Sequence, residues 1–580
     1  MQIPYSDKVF YEALGLKCGI EMHRQLDTTH KLFCRCPIRP YSEAYDAEIL
    51  RHMRPTLSEL GEYDPTALME FKTRKEIIYR LNRDTVCTYE MDDAPPFGLN
   101  RDALDRAIVL SMMLNLNLVD ELHIARKQYL DGSIPTGFQR TAIVGINGWI
   151  KVDGRRIGIR QLGLEEDACR EVSDHGHRRT YLTDRLSIPL IEIVTEAEMH
   201  TPMDAARVGN AIRRLCHLSS VVRTGHGRAR QDVNVSITGG DRVEIKGVSS
   251  LRQLPALVHF EALRQKALLD LREAARARGI GPDAFDTVVD ISAEARRLSH
   301  PVLRTPWSGG IVARSIVLRG CTGLLMFPTG PDRTFATEIS DRVKVIACLD
   351  RMPNIAHSDD SSFFGISSLF DETRRLAQAG PQDAVVVVCG PAIDVQTGIN
   401  EVRIRLTEAL SHVPRETRRS LASGATCFER MLPGPDRMYP DTDLPPIVIL
   451  DDRFARARSR VPEALWDKEE RFLAQGLSRD QVGRLFTMDA FARYECAVHR
   501  VRVRPSILAY LLLDWIPFLA RRGRDVYTLT AEALVELLAG DGEECIEQKE
   551  AAARVARAVG YEPGFVRKAD PRAQDRRTQA

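Results

Sequence analysis

The sequence predicts a multidomain α+β protein. Three observations carry that reading: the length, a mixed strand-and-helix texture that changes twice along the chain, and helical periodicity in the last quarter. A chain of 580 residues holds roughly four domains at about 150 residues each. Hydrophobic residues make up 44% and charged residues 28%, enough apolar material for several cores, which excludes a wholly disordered chain.

The first region, 1–288, mixes short β-branched runs such as "TAIVGINGWI" and "VEIKGV" with charged loops, and reads as strands and helices of one domain. Near its end a helix is expected over 255–279, with Pro255 at its start and Gly279 at its stop. Residues 289–415 change to short strands between Gly/Pro turns, "SIVLRGCTGLLMF" and "DAVVVVCG", closing on a helix. That is a compact α+β module, read as an insertion. Over 416–452 the polar, proline-rich texture of the first domain resumes in "GATCFERMLPGPDRMYPDTDLPP". Residues 453–535 carry helical periodicity with Ser, Thr or Asp near helix starts. The remainder, 536–580, ends in the polar "RKADPRAQDRRTQA", where disorder is expected.

Lys and Arg total 81 against 80 for Asp and Glu, a formal charge of +1. No global field marks a nucleic-acid binder, and a polynucleotide would need a local basic face. The 12 cysteines are scattered, some in apolar runs as at Cys389, the usage of a reducing compartment. The first residues show no leader pattern, and "ILAYLLLDWIPFLA" is too short to span a bilayer. A cytoplasmic protein with no membrane partner is expected.

Four polar clusters could carry chemistry. In "GIEMHRQL" a strand puts Glu21, His23 and Gln25 on one face: either a metal or phosphate-metal site, or an exposed face with a satisfied histidine. In "IGIRQLGLEEDACREV" the acids Glu165, Glu166 and Asp167 are consecutive. They repel one another unless a cation offsets them, although an acidic run at a helix start fits equally. In "DRLSIPLIEIVTEAEMHTP" Glu192 sits in an apolar run where an unpaired carboxylate is costly, so it wants a cation. Oxygen ligands from Glu21, Glu166 and Glu192 suit Mg²⁺ holding nucleotide phosphates.

The fourth, "GHGRARQDVNVSITGGDRVEIKG", reads as a hairpin with Asp232, Asn234 and Ser236 on one face, and Arg242, Glu244 and Lys246 together on the partner strand. Such a face either binds an anionic substrate or is ordinary half-buried alternation. Its Gly-rich start matches neither the P-loop nor the dinucleotide fingerprint. Cys34 and Cys36 lack a second close pair, Cys18 and Cys87 being isolated in sequence, so zinc is not expected.

Together these strings, with "GLKCGIEMHRQLDTTHKLFCRCP", "GFQRTAIV", "VPRETR" and "RMYPDTDLPP", resemble the E-type subunits of archaeal-type glutamyl-tRNA(Gln) amidotransferases, and more distantly the bacterial B-type subunits. The resemblance implies a cradle-shaped kinase-like domain of mixed β-sheet that uses ATP and Mg²⁺ to phosphorylate the side-chain carboxylate of Glu-tRNA(Gln). A D-type, asparaginase-like amidase would supply the ammonia, in a heterotetramer with two copies of each chain; no amidase arrangement is apparent in this sequence. By analogy the metal ligands are Glu21, His23, Glu166 and Glu192, joined in catalysis by Arg230 and Lys246. Gln25, Asp232, Asn234, Ser236, Glu244, Arg437, Tyr439 and Asp441 would bind the nucleotide or line the cradle. The inserted module resembles one shared with bacterial-type aspartyl-tRNA synthetases, and 536–580 reads as the remnant of a longer tail. The chain departs from the pattern at "GRARQDVN", where Gly-Thr-Ile is usual before the Arg-Gln-Asp, and at "VEIKGVSSL". With the shortened tail, these departures leave open the same chemistry on a non-tRNA carboxylate, a small metabolite or a carrier-bound acid; a non-catalytic tRNA-binding or scaffold protein is the other alternative.

Overall fold

The computed structural model describes residues 3–57, 61–303, 307, 309–434, 437–539 and 545–562. It divides into two compact units, Met1–Asn210 with Val221–Val461, and Ala211–Ser220 with Pro462–Ala580.

The first unit is built on one large sheet. Its ten main strands are β1 (Lys17–Gln25), β2 (Ile124–Gln128), β3 (Phe138–Val152), β4 (Arg155–Glu166), β5 (Pro189–Thr195), β6 (Ala229–Ser236), β7 (Val243–Val248), β8 (Glu416–Ser420), β9 (Thr426–Met431) and β10 (Met438–Pro440). They lie side by side in the order β9-β8-β7-β6-β1-β5-β4-β3-β2-β10, with a short strand Asn117–Leu118 on β3 off this path. Every pair is antiparallel except β7 with β8. A parallel pair cannot be closed by a tight turn and needs a long crossover. Residues 249–415 supply it, and the inserted module lies within that crossover.

The crossover opens with the helix α1 (Leu254–Ala277), which has Pro255 in its first turn, where no intrahelical N–H is lost. It ends before Gly279, whose φ of 68° suits the left-handed conformation that stops a helix. The module then forms its own antiparallel sheet from the strands Val288–Asp290, Ile311–Leu318, Ala384–Pro391 and Ile355–His357, side by side in that order. Helices α2 (Phe335–Ile346) and α3 (Ala392–Ser411) cover one face and the helix Ser367–Leu376 the other. The run "AVVVVC" is therefore buried on both sides: Val386 and Val388 pack with Ile339 and Ile399, while Val385, Val387 and Cys389 pack with Leu369 and Phe370.

A buried ionic cluster ties the module to the large sheet. Glu338 of α2 accepts hydrogen bonds from Arg264 of α1 at 2.8 Å, Arg418 of β8 at 3.0 Å and Arg405 of α3 at 3.4 Å. Glu261 holds Arg264 from within α1 at 2.8 Å, and Glu416 pairs with Arg418. All six side chains are excluded from solvent, so each charge depends on its partners.

A second small sheet in this unit, Ala47–Arg51, Glu76–Leu81, Arg178–Leu182 and Arg170–His175, carries Tyr181 and Glu171 towards the candidate site. The second unit is helical among its described residues, and the rings of Phe472, Phe486, Phe491 and Tyr494 pack together, Tyr494 edge-on to Phe472, with centroids of contacting rings 4.9–5.9 Å apart. Helices Ala531–Leu538 and Gln548–Ala558 lie around and within the expected tail remnant, and the polar terminus 567–580 falls outside the described residues. No described helix is long and apolar enough to cross a membrane.

Replacing Glu338 with Ala leaves three buried guanidiniums short of a carboxylate, and should lower stability by about 3–5 kcal/mol. Urea unfolding of the full chain measures this, and a loss below about 1 kcal/mol would remove the cluster from its anchoring role.

Candidate functional site

One face of the large sheet lines a cavity of about 260 Å³. Strand register builds it. β1 runs between β5 and β6 with His23 opposite Glu192 on one side and Arg230 on the other, and with Glu21 opposite Asp232. Directly opposed residues in an antiparallel pair share a face. Asn234 opposes Glu244 of β7, and Glu192 opposes Gly163 of β4, which puts Glu165, two residues on, on the same face. The other face of β1, with Cys18, Ile20 and Met22, is fully buried.

Two groups of possible ligands result. His23, Glu165 and Glu192 form one, and Glu21, Asp232 and Glu244 the other, each with donor atoms within 4.8 Å of one another. Cations face them. Lys127 of β2 lies 2.8 Å from Glu165 and 3.6 Å from Glu192, Lys246 lies 3.3 Å from Glu244 and 3.5 Å from Asp232, and Arg230 donates to Asp167 at 3.0 Å. Across the cavity, Arg430 and Arg437 both stack on Tyr129, at 5.4 and 5.3 Å from its centroid.

The charge balance is uneven. Burial and the neighbouring Glu244, Glu192 and Asp232 push the Glu21 carboxyl up to about 7, so the anionic form there lacks a sufficient counter-charge. Burial opposes ionisation of Glu192 too, but Lys127 and the His23 hydrogen bond hold it well below the usual range. Burial disfavours charged His23, yet its hydrogen bond to Glu192 raises it above an ordinary histidine. Among the described residues, His23 Nδ1 and Asn234 Oδ1 are buried without partners. A hard divalent cation fits this oxygen-rich, under-compensated set.

The structure places the sequence-derived residues unequally. Glu21, His23, Glu192, Arg230, Asp232, Glu244, Lys246 and Arg437 line the cavity. Asn234 stands behind Glu21, donating to its Oε1 at 2.9 Å. Gln25 lies past the cavity, donating to Asp167 and to Tyr41, each at 2.8 Å. Ser236, opposite Lys17 at the far end of β1, does not reach it. Tyr439 donates to the Thr56 carbonyl at 3.2 Å, and Asp441 accepts from Arg140 at 2.6 Å.

Glu166 points to the opposite face from Glu165, because adjacent residues of a strand alternate. It accepts from Tyr89 at 2.7 Å, from Ser187 at 2.9 Å and from the Arg140 N–H at 3.0 Å. Tyr89 in turn accepts from Arg140, which is held by Asp441 and Asp443. Glu166 and Asp441 thus belong to one buried network that fixes the end of β4, while Glu165 enters the cavity. An acidic run alone does not separate Glu165 from Glu166, and the polar clusters of the sequence leave out Lys127, Tyr129 and Arg430. The alternation of "ARKQY" is the signal that puts Lys127 and Tyr129 on one face.

A third group of possible ligands lies elsewhere. Cys87, isolated in sequence, is brought to Cys34 and Cys36, and Glu90 joins them with all donor atoms within 4.8 Å. The loop is drawn in by Lys31, which is fully buried and donates to Glu90 at 2.7 Å and to the Thr85 carbonyl. Glu90 Oε2 is buried and unpartnered among the described residues, and hydrogen bonds from Cys34 and Cys36 hold the Cys87 thiol far below its ordinary value. Three thiols and a carboxylate could hold a tetrahedral zinc.

Residues 16–455 match the model of the GatB/GatE catalytic domain. The chain belongs to the GatB/GatE family. This family member is 36% identical over 534 residues to the E-type subunit of the glutamyl-tRNA(Gln) amidotransferase of Sulfurisphaera tokodaii, covering 91% of this chain and 84% of the relative. It is 36% identical to that of Saccharolobus solfataricus over 537 residues, with the same coverage. Against that of Methanopyrus kandleri it is 37% identical over 535 residues, 91% of this chain and 83% of the relative.

Strand parity separates two neighbouring carboxylates experimentally. Glu165→Gln should weaken Mg²⁺ or Mn²⁺ binding at least tenfold by calorimetry with little loss of stability, whereas Glu166→Gln should cost about 1–3 kcal/mol in unfolding. Equal effects at both positions would contradict the assignment. Elemental analysis of protein purified without chelator should find about one zinc per chain, lost in Cys87→Ser; a metal-free, equally stable wild type would exclude a zinc at the thiols.

Proposed function

We propose that the chain activates the side-chain carboxylate of glutamate esterified to tRNA(Gln) by phosphorylation from ATP, and passes the acyl group to ammonia to give Gln-tRNA(Gln). The observation that carries this is one cavity in which carboxylate-rich ligand groups face Lys246, Arg430 and Arg437, with Lys127 paired to Glu165 and Glu192. The names of the relatives support the tRNA-linked substrate.

A carboxylate resists attack by ammonia because oxide is a poor leaving group. Transfer of the γ-phosphoryl to a carboxylate oxygen breaks the bond from that phosphorus to the bridging oxygen and releases ADP. The acyl phosphate then has a competent leaving group: the ammonia nitrogen attacks the acyl carbon, the C–O bond breaks, and phosphate departs carrying the former carboxylate oxygen. Mg²⁺ held by Glu21, Asp232 and Glu244 or by His23, Glu165 and Glu192 would neutralise phosphate charge.

The chain's own groups do the rest. Lys246 and Arg230 face charge that develops on the transferred phosphoryl, as positioned cations do in phosphoryl transfer. Arg437, held over the Tyr129 ring at the cavity wall, is suited to the substrate carboxylate. His23, bonded to Glu192, is fixed in orientation by that contact. Ammonia would come from an asparaginase-like amidase, in a complex with two copies of each chain.

Phosphate release and Gln-tRNA formation, measured with ammonium salt, ATP and Mg²⁺, test the reading with Glu-tRNA(Gln), uncharged tRNA and no tRNA. Coupled release only with the charged tRNA is expected, and ATP turnover indifferent to tRNA would point to a different carboxylate. Glu192→Gln should reduce turnover by at least a hundredfold in a protein with unchanged circular dichroism; unchanged turnover would remove Glu192 from the machinery.

A further inference from the structure

We propose that Arg223 and Arg228, on the loop leading into β6, form a phosphodiester-binding site beside the cavity that holds the single-stranded end of the polynucleotide carrying the glutamyl group. This rests on the tRNA-linked reading above and names where that substrate's backbone is gripped.

The loop's backbone is fixed. Arg223 N–H donates to the Gln25 carbonyl at 2.9 Å, and the Gln25 N–H donates to the Arg228 carbonyl at 3.1 Å, so both arginines are stapled to the end of β1. Between them, Gly225 and Gly227 have φ of +110° and +72°, values that side chains other than glycine rarely adopt. A Cβ at Gly227 would meet the Tyr41 ring at 3.3 Å. Tyr41 anchors the loop from below, donating to the Gly227 carbonyl at 3.3 Å and accepting from Gln25 Nε2 at 2.8 Å.

The charges on this loop are unanswered. Arg228 lies over the Tyr41 ring, 4.7 Å from its centroid, and its polar contact is Gln25 Oε1 at 3.5 Å. Arg170 lies over the same ring at 5.5 Å, but it is paired with Glu43 and Asp184. Of the other nearby acids, Asp167 is taken by Arg230 and Gln25, and Asp27 forms no ion pair with either arginine of the loop among the described residues. Among the described residues neither Arg223 nor Arg228 forms an ion pair with a carboxylate. Burial and the proximity of Arg228 lower the pKa of Arg223, against a weaker contribution from Asp27. Two half-buried neighbouring guanidiniums repel each other unless an anion joins them, and guanidinium forks match phosphate oxygens.

Position selects the kind of phosphate. Neither arginine lines the cavity, but Gln25 and Asp167 connect the loop by hydrogen bonds to Arg230, which does. An anion bound here lies next to a cavity already furnished for phosphoryl transfer, so the substrate must extend beyond it. A polynucleotide end does so. Contacts of this kind position a backbone without reading its sequence.

Arg223→Ala, Arg228→Ala and the double variant test this, with circular dichroism and thermal melting to verify folding. Filter-retention binding of tRNA(Gln), which needs no turnover, should weaken roughly three- to tenfold per arginine, and the slope of log Kd against log salt should fall by about 0.7 for each cation removed from a single-strand contact. In steady state the KM for Glu-tRNA should rise while the KM for ATP and kcat stay within about twofold, and Arg228→Lys should recover part of the binding. Unchanged tRNA affinity in the double variant would overturn the proposal, as would a rise in the KM for ATP alone, which would assign the pair to the nucleotide. Wild-type protein that binds tRNA(Gln) but never amidates Glu-tRNA would instead defeat the functional reading and leave the binding comparison standing.

Discussion

The pairing of β1 between β5 and β6 is the constraint on which the site depends. One register sets His23 against Glu192 and Arg230, and Glu21 against Asp232; the same register sends Cys18, Ile20 and Met22 into the core. Because side chains alternate, a slip by one residue would exchange these sets, burying Glu21 and His23 among apolar groups and exposing the methionine. The cost of that exchange holds the polar face in place.

The same physics of buried charge has two outcomes in this molecule. Around Glu338 the arginines 264, 405 and 418 meet the glutamates 261, 338 and 416, so cations and acids are equal in number. It joins a module to a sheet. In the cavity the acids outrun their partners: Glu21 is driven towards protonation, and buried atoms of His23 and Asn234 lack contacts among the described residues. That open balance, unfavourable among the protein's own groups, favours a cation and phosphate there. At the loop 223–228 the imbalance has the opposite sign, and it adjoins the cavity through Gln25 and Asp167.

Much of this is legible in the sequence wherever the signal is strictly local. Alternation in "GIEMHRQ" and across the hairpin 229–248 places Glu21, His23, Asp232, Glu244 and Lys246 on polar faces, and the structure gathers all of them in one cavity. The helix bounded by Pro255 and Gly279 follows from the backbone limits of those two residues. Parity in "LEEDA" is not legible, because three consecutive acids offer carboxylates to both faces and only the pairing of β4 with β5 decides that Glu165 enters. Nor does spacing bring Cys87 and Glu90 to Cys34 and Cys36; the buried Lys31 does that through space. Asp441 shares a motif with Arg437, yet across the short strand β10 between them one enters the network behind β4 and the other lies over Tyr129.

The central claim is that the glutamyl carboxylate itself receives the phosphoryl group, and the fate of its oxygen tests this most directly. Glu-tRNA(Gln) carrying heavy oxygen in the side-chain carboxylate is converted with ATP, Mg²⁺ and ammonium, and the released phosphate is analysed by mass spectrometry. Transfer through an acyl phosphate predicts one heavy oxygen in each phosphate formed per Gln-tRNA. Unlabelled phosphate accompanying Gln-tRNA formation would show that ATP is cleaved elsewhere, and would contradict the account.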